Sequence, residues 1–409
     1  MKLLANIALF FLLSVPCFAQ DVLYVDIKKN TTDKINLIIS SKMELEDKLS
    51  QNITETIKKN LSSCGLFNLK ATDNDGLAII DLNKISETKM KLSFRLLDSF
   101  TGEELVSKSM IFSKRNWREI AHSISDEIHS RFTGEKGHFS TKITYIAEEK
   151  DSNNKSIRKI AIMNRDGSNV KYLTNGDKFV STPRFSPDGK SVIYVSYVDG
   201  VSHIMLRSLV NNNESTISTF EGVVSAPRFS PDGKTLLVSH SLDGKTNILS
   251  LDLKNKRTTK ITKSSAINTS PSLSPDQKYM VFSSDISGSQ QLYVIDLTKR
   301  DTKPKRISFG NGRYATPVWS PKGDLIAFTK IQSGKFYIGV MRPDGKEERI
   351  LSEGHKIESP AWVPNGREII FTKTESTNNS RLYLVDLAKK KHKLVFTPTN
   401  AFLPDWSYF

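Results

Sequence analysis

The chain has 409 residues, enough for two domains with sizeable cores, since one domain usually takes about 100 to 200. Its formal charge of +15 favours acidic partners. Its two cysteines, Cys17 and Cys64, exclude a disulfide framework and a thiolate metal cluster.

The first residues belong to neither domain. Lys2 is followed by an apolar run over residues 3–13, and Cys17-Phe18-Ala19 ends in a small residue suited to cleavage, so a secretory signal peptide is expected at 1–19. The run is shorter than the roughly 20 apolar residues that span a bilayer, so no transmembrane segment is expected once it is removed. Cleavage leaves Cys64 as the only thiol, and stability must come from packing. A secreted chain rarely meets nucleic acid, so the basic charge is not read as a nucleic-acid footprint.

Residues 20–134 read as a small α/β domain. The stretch 20–33, "QDVLYVDIKKNTTD", is strand-like and then polar. "KINLIIS" (34–40) reads as a strand, and residues 42–61 place Met43, Leu45, Leu49, Ile53, Ile57 and Leu61 at helical spacing. "MKLSFRLLDSF" and "ELVSKSMIFS" around Thr101-Gly102 form an expected hairpin. Trp117, Ile120, Ala121, Ile124, Ile128 and Phe132 then share one helical face, with Gly134 as its C-cap. His122 and His129 of this helix read as surface or half-buried residues. Residues 135–139 are a connector.

From 140 to 409 the chain repeats itself. "TPRFSPDGKSVIYVS" (182–196) returns as "APRFSPDGKTLLVSH", "SPSLSPDQKYMVFSS", "TPVWSPKGDLIAFTK" and "SPAWVPNGREIIFTK". Pro187, Pro231, Pro275, Pro321 and Pro364 are spaced by 44, 44, 46 and 43 residues. A period of about 40 to 50 with several short strands is the pattern of a β-propeller blade. The turn after each first strand needs a positive φ that glycine supplies, and the following strand alternates apolar and polar residues. Asp188, Asp232 and Asp276 occupy these turns and serve their geometry. Residues 142–176 hold strands two to four of a blade without its first, while "LPDWSYF" (403–409) is a first strand with nothing after it. Together they make one blade, which gives six and leaves no open sheet edge.

In a propeller, the loops from one blade's last strand to the next blade's first strand ring the central mouth. Here they carry Lys178, Phe179 and Thr182; Val223, Val224 and Ser225; Asn268 and Thr269; Arg313, Tyr314 and Thr316; Lys356 and Glu358; Asn400 and Phe402. Aromatic and aliphatic anchors among charged and amide neighbours suit a protein-binding patch, with Arg313 and Tyr314 the foremost candidates. The turns of the opposite face hold Lys190, Lys234, Lys278, Lys322 and Arg367, a basic surface expected to be solvated. No Gly-x-Ser-x-Gly or His-Glu-x-x-His motif occurs, and "GNGRYA" (310–315) falls in an inter-blade loop rather than before a helix. Neither catalytic residues nor a cofactor or metal are expected; a propeller enzyme or small-ligand module using the central channel is the alternative.

The order of these parts, with "SDEIHSRFTGEKGHFSTKITYIA" (125–147) across the domain junction, five SPDG-type repeats and the closing "LPDWSYF", resembles the TolB family, the periplasmic component of the Tol-Pal system of Gram-negative bacteria. The resemblance implies a monomeric, non-enzymatic adaptor serving envelope integrity and constriction at division. It implies a propeller mouth that receives the lipoprotein Pal. It further implies an N-terminal segment, here Asp21, Val22, Leu23, Tyr24, Val25, Asp26 and Ile27, that engages the inner-membrane protein TolA. Lys28 and Lys29 make that segment more basic than the family pattern.

Overall fold

The computed structural model describes residues 34–41, 48–70, 74–299, 302–375 and 379–408. The expected signal peptide and the segment 21–27 lie outside the described residues. The small domain comprises β1 (Ile35–Ser41), α1 (Lys48–Ser63), β2 (Phe67–Asn68), β3 (Gly76–Lys84), β4 (Lys89–Asp98), β5 (Glu104–Ser113) and α2 (Trp117–Thr133). Its sheet order is β2-β1-β3-β4-β5, with β1 parallel to β2 and β3 and the rest antiparallel. Ile53, Ile57 and Leu61 of α1 and Ala121, Ile124 and Ile128 of α2 recur at three- and four-residue spacing. They are buried with Ala78, Ile80 and Leu82 of β3 and Leu92, Phe94 and Leu96 of β4 in one core. Gly134 caps α2 in the left-handed region, its N–H donating to the Ser130 carbonyl at 2.9 Å.

Six four-stranded antiparallel sheets follow. Blades 2 to 6 occupy residues 179–221, 223–260, 268–306, 313–354 and 356–395. Blade 1 is composite: the strand Asn400–Trp406 pairs with Lys142–Lys150, followed by Ser156–Asn164 and Lys171–Tyr172. The seam is reinforced by side chains. Trp406 Nε1 donates to Thr141 Oγ1 at 2.8 Å, and the Lys142 N–H donates to Ser407 Oγ at 2.9 Å. The serine and aspartate of each SPDG turn act as a unit: the Ser186 hydroxyl donates to Asp188 Oδ1 (2.6 Å), which also accepts the Lys190 N–H (3.0 Å). The same bonds recur at Ser230-Asp232 and Ser274-Asp276, and they hold all three aspartates below the usual carboxylate range.

One feature of the inner strands departs from what their prolines predict, because a residue before proline is normally extended. Thr182, Ala226, Ser270, Thr316, Ser359 and Leu403 each precede a proline and each has φ between 47° and 59°. Each forms a β-bulge with its proline, two residues opposing one on the second strand. That one residue is Tyr145, Tyr194, Val238, Phe282, Phe328 or Phe371, all buried. Proline has no N–H to lose from the ladder, so the interruption falls where it costs least.

The domains are joined by directional bonds. The Asp126 carboxylate of α2 accepts the Phe139 N–H (2.5 Å) and the Ser140 N–H (2.9 Å), and a Cβ on Gly137 would stand 2.4 Å from the Asp126 Cα. Glu135 accepts from Arg367 (2.7 Å) and lies 3.9 Å from the Lys322 ammonium. Part of the basic turn surface expected to be solvated is therefore bound to the connector. The expectation for His122 and His129 is corrected as well: both are 2% exposed, against the connector and blade 1. His122 Nδ1 lies 2.9 Å from Asn60 Nδ2, and its Nε2 is 3.7 Å from Asp166. His129 packs edge-on against His138, which stacks on Phe139.

Two outcomes follow. Trp406→Ala should destabilise the protein by about 3–5 kcal/mol, read as a lower urea midpoint, because it empties a core site on the seam. Burial lowers the pKa of His122 and His129 and takes that of His138 to about 2, so His138 stays neutral in the fold. The unfolded chain takes up protons below about pH 6.5, and stability falls as pH drops through that value. His138 contributes about 2 kcal/mol of that loss between pH 6.5 and 5. Urea titrations of wild type and His138→Gln should show a shallower loss in the variant over that window.

Candidate partner-binding mouth

The inner strands of all six blades start on the face away from the SPDG turns, so their first residues ring one end of the axis. Gly222 and Gly312 turn the chain into blades 3 and 5 at φ 79° and 99°, where a Cβ would meet a neighbouring carbonyl oxygen at 2.4 Å. Of the residues expected there, Lys178, Phe179, Val223, Arg313 and Lys356 are exposed. Thr182, Ser225, Thr269, Thr316, Glu358, Asn400 and Phe402 are half-buried. Phe179 and Val223 are 52% and 50% exposed, large apolar side chains that the fold leaves in solvent.

Three expected positions are corrected. Tyr314 is fully buried: its hydroxyl donates to Glu348 Oε2 at 2.8 Å, the Lys330 ammonium donates to Glu348 Oε1 at 2.9 Å, and Lys330 lies 5.1 Å from the tyrosine ring centre. It anchors the loop from beneath and offers no surface to a partner. Val224 is 4% exposed and packs between blades 2 and 3. Asn268, 2% exposed, uses its amide to hold Thr246 O (3.2 Å), Ser264 Oγ (2.9 Å) and Ala266 O (2.9 Å), stapling the loop instead of facing outward.

The structure also adds residues. Arg158 of blade 1 lies 5.6 Å from the Phe179 ring and 5.8 Å from the Phe402 ring, while its Nε donates to Glu148 Oε2 at 2.7 Å. A guanidinium between two aromatic rings holds both in place and gains from their faces. Ile267, beside Asn268, is 49% exposed, and Phe309, in the loop before Arg313, is 70% exposed. Exposed apolar residues in those loops were the available signal for Ile267 and Phe309; Arg158 had none, since its partners come from remote segments. Arg313 and Lys178 make no hydrogen bond or ion pair with a described residue, so two cations border the apolar patch unpaired.

This combination defines a two-domain β-propeller protein, with a small α/β domain at one end of the axis and an apolar, basic-rimmed mouth at the other. Residues 129–409 match the model of the TolB beta propeller domain. The chain is 68% identical over 418 residues to the Tol-Pal system protein TolB of Wolbachia pipientis subsp. Culex pipiens (strain wPip) and 67% identical over 420 residues to that of Wolbachia sp. subsp. Drosophila simulans (strain wRi), covering 100% of each chain. The crystal structure of TolB from Acinetobacter baumannii superposes with a TM-score of 0.78 at 22% identity, covering 92% of this chain and 97% of that one, a likeness of fold. The chain belongs to the TolB family of the Tol-Pal system. No helix among the described residues is long and apolar enough to cross a membrane.

Tyr314→Phe should cost about 1–3 kcal/mol of stability by removing a hydrogen bond to the half-buried, charged Glu348, whereas Arg313→Ala should stay within about 0.5 kcal/mol of wild type. Urea unfolding of the two variants in parallel checks the contrast.

Proposed function

We propose that the protein is a periplasmic adaptor of the Tol-Pal system, linking TolA in the inner membrane to Pal in the outer membrane, for envelope integrity and for constriction at division. It works by binding and not by catalysis. The propeller mouth takes Pal, and the N-terminal segment Asp21–Ile27 takes TolA. The observation that carries the Pal half is the mouth's exposed patch, in which Arg158 fixes Phe179 and Phe402 as rigid anchors and Arg313 and Lys178 stand unpaired beside them. Rigid aromatic anchors lose little side-chain entropy on docking, and free cations favour a partner with acidic residues at its contact edge.

The test is titration calorimetry with soluble Pal and the TolA domain. Phe179→Ala combined with Arg313→Ala is expected to weaken Pal binding at least tenfold while the melting temperature and TolA binding hold. Deleting residues 21–27 is expected to abolish TolA binding. A double variant that binds Pal as wild type does would remove the mouth from the interface.

A further inference from the structure

The opposite end of the axis holds a feature that adaptor function does not use. The six bulges each aim the residue after the proline toward the axis, and these six residues, Arg184, Arg228, Ser272, Val318, Ala361 and Asp405, line a cavity of about 280 Å³. The ring is two-sided. Asp405, Arg184 and Arg228 come from the neighbouring blades 1, 2 and 3, while blades 4, 5 and 6 supply small and apolar groups backed by Trp319 and Trp362.

The charges do not balance. Arg184 is 8% exposed; one of its amino groups donates to the Pro183 carbonyl at 2.7 Å, but its Nε has no hydrogen-bond partner and stands 3.9 Å from Asp405 Oδ1. The other Asp405 oxygen accepts the Phe185 N–H at 2.9 Å. The half-buried Arg228 side chain makes no hydrogen bond or ion pair with a described residue. Two guanidiniums therefore share one carboxylate, and a charge held out of water without a partner is costly. Burial, and then Arg228, lower the Arg184 pKa to about 10. The tryptophan N–H groups are already committed, Trp319 to Gly323 O (3.1 Å) and Trp362 to Val318 O (2.9 Å), so the indoles of the far wall offer a ligand apolar surface.

We propose that this axial cavity binds a small organic carboxylate, its anionic head on Arg228 and the Arg184 guanidinium and its apolar body against Trp319 and Trp362. Guanidinium is the group best matched to carboxylate geometry. At about 30 Å³ per water, the volume equals roughly nine waters, the scale of a monocarboxylic acid with one ring. Tyr408 and Phe185 border both this cavity and the cleft between the domains, so the two adjoin.

The probe is 3-phenylpropionate, with 3-phenylpropionamide as its uncharged counterpart and acetate as the head group alone. Titration followed by the indole N–H resonances of Trp319 and Trp362 should show saturable shifts with the acid, and binding at least tenfold weaker with the amide and with acetate. Arg228→Gln should weaken the acid at least tenfold with an unchanged melting temperature, and Phe179→Ala should not alter it. The proposal is overturned if acid and amide bind alike, if the indole signals stay still up to about 10 mM acid, or if Arg228→Gln binds the acid as wild type does.

Discussion

Everything in the propeller depends on one antiparallel pairing, that of Asn400–Trp406 with Lys142–Lys150. A blade cannot bury its two faces alone; each sheet is covered by its neighbours, and a ring with one gap exposes two sheet faces and a ladder edge at once. The hydrogen bonds between Trp406 and Thr141 and between Lys142 and Ser407 tie this seam to the connector, and Asp126 ties the connector to α2. Closure of the disc and placement of the small domain are thus one structural problem. The mouth inherits its geometry from the same source, since Phe402 lies on the closing strand and Arg158 on the strand two places away in that blade.

The large-scale plan was legible because it is written in spacing. Prolines 43 to 46 residues apart, an incomplete first repeat and an orphan last strand together require six blades with a composite one. The Gly134 cap, the 89–113 hairpin and the turn role of Asp188, Asp232 and Asp276 were equally local in origin. The strand Gly76–Lys84 was not singled out, although its alternating burial is clear once its neighbours are known.

The site was legible only as a set of loops. An aromatic residue at the start of an inner strand faces either solvent or core, and the choice at Tyr314 rests on Glu348 and Lys330, which are brought to it from later segments of the same blade. Arg158 meets Phe179 of the next blade and Phe402 of the chain's last strand, so no local pattern announces it. The positive φ before each proline inverts the usual expectation for that position, and it is sustained by the large buried side chain opposite each bulge. Repetition around the ring makes this a rule of the fold, and it is what turns the residue after each proline toward the axis.

The seam also orders how the molecule can be made. Thr141 and Trp406 are separated by 265 residues, so the first propeller strand to emerge waits for nearly the whole domain before its partner exists. During that interval its inner edge presents unpaired backbone groups to any neighbouring chain. Completion of the ring is a late, long-range step, slow by the loop it must close, and the newly made chain is most in need of protection just before its final strand arrives.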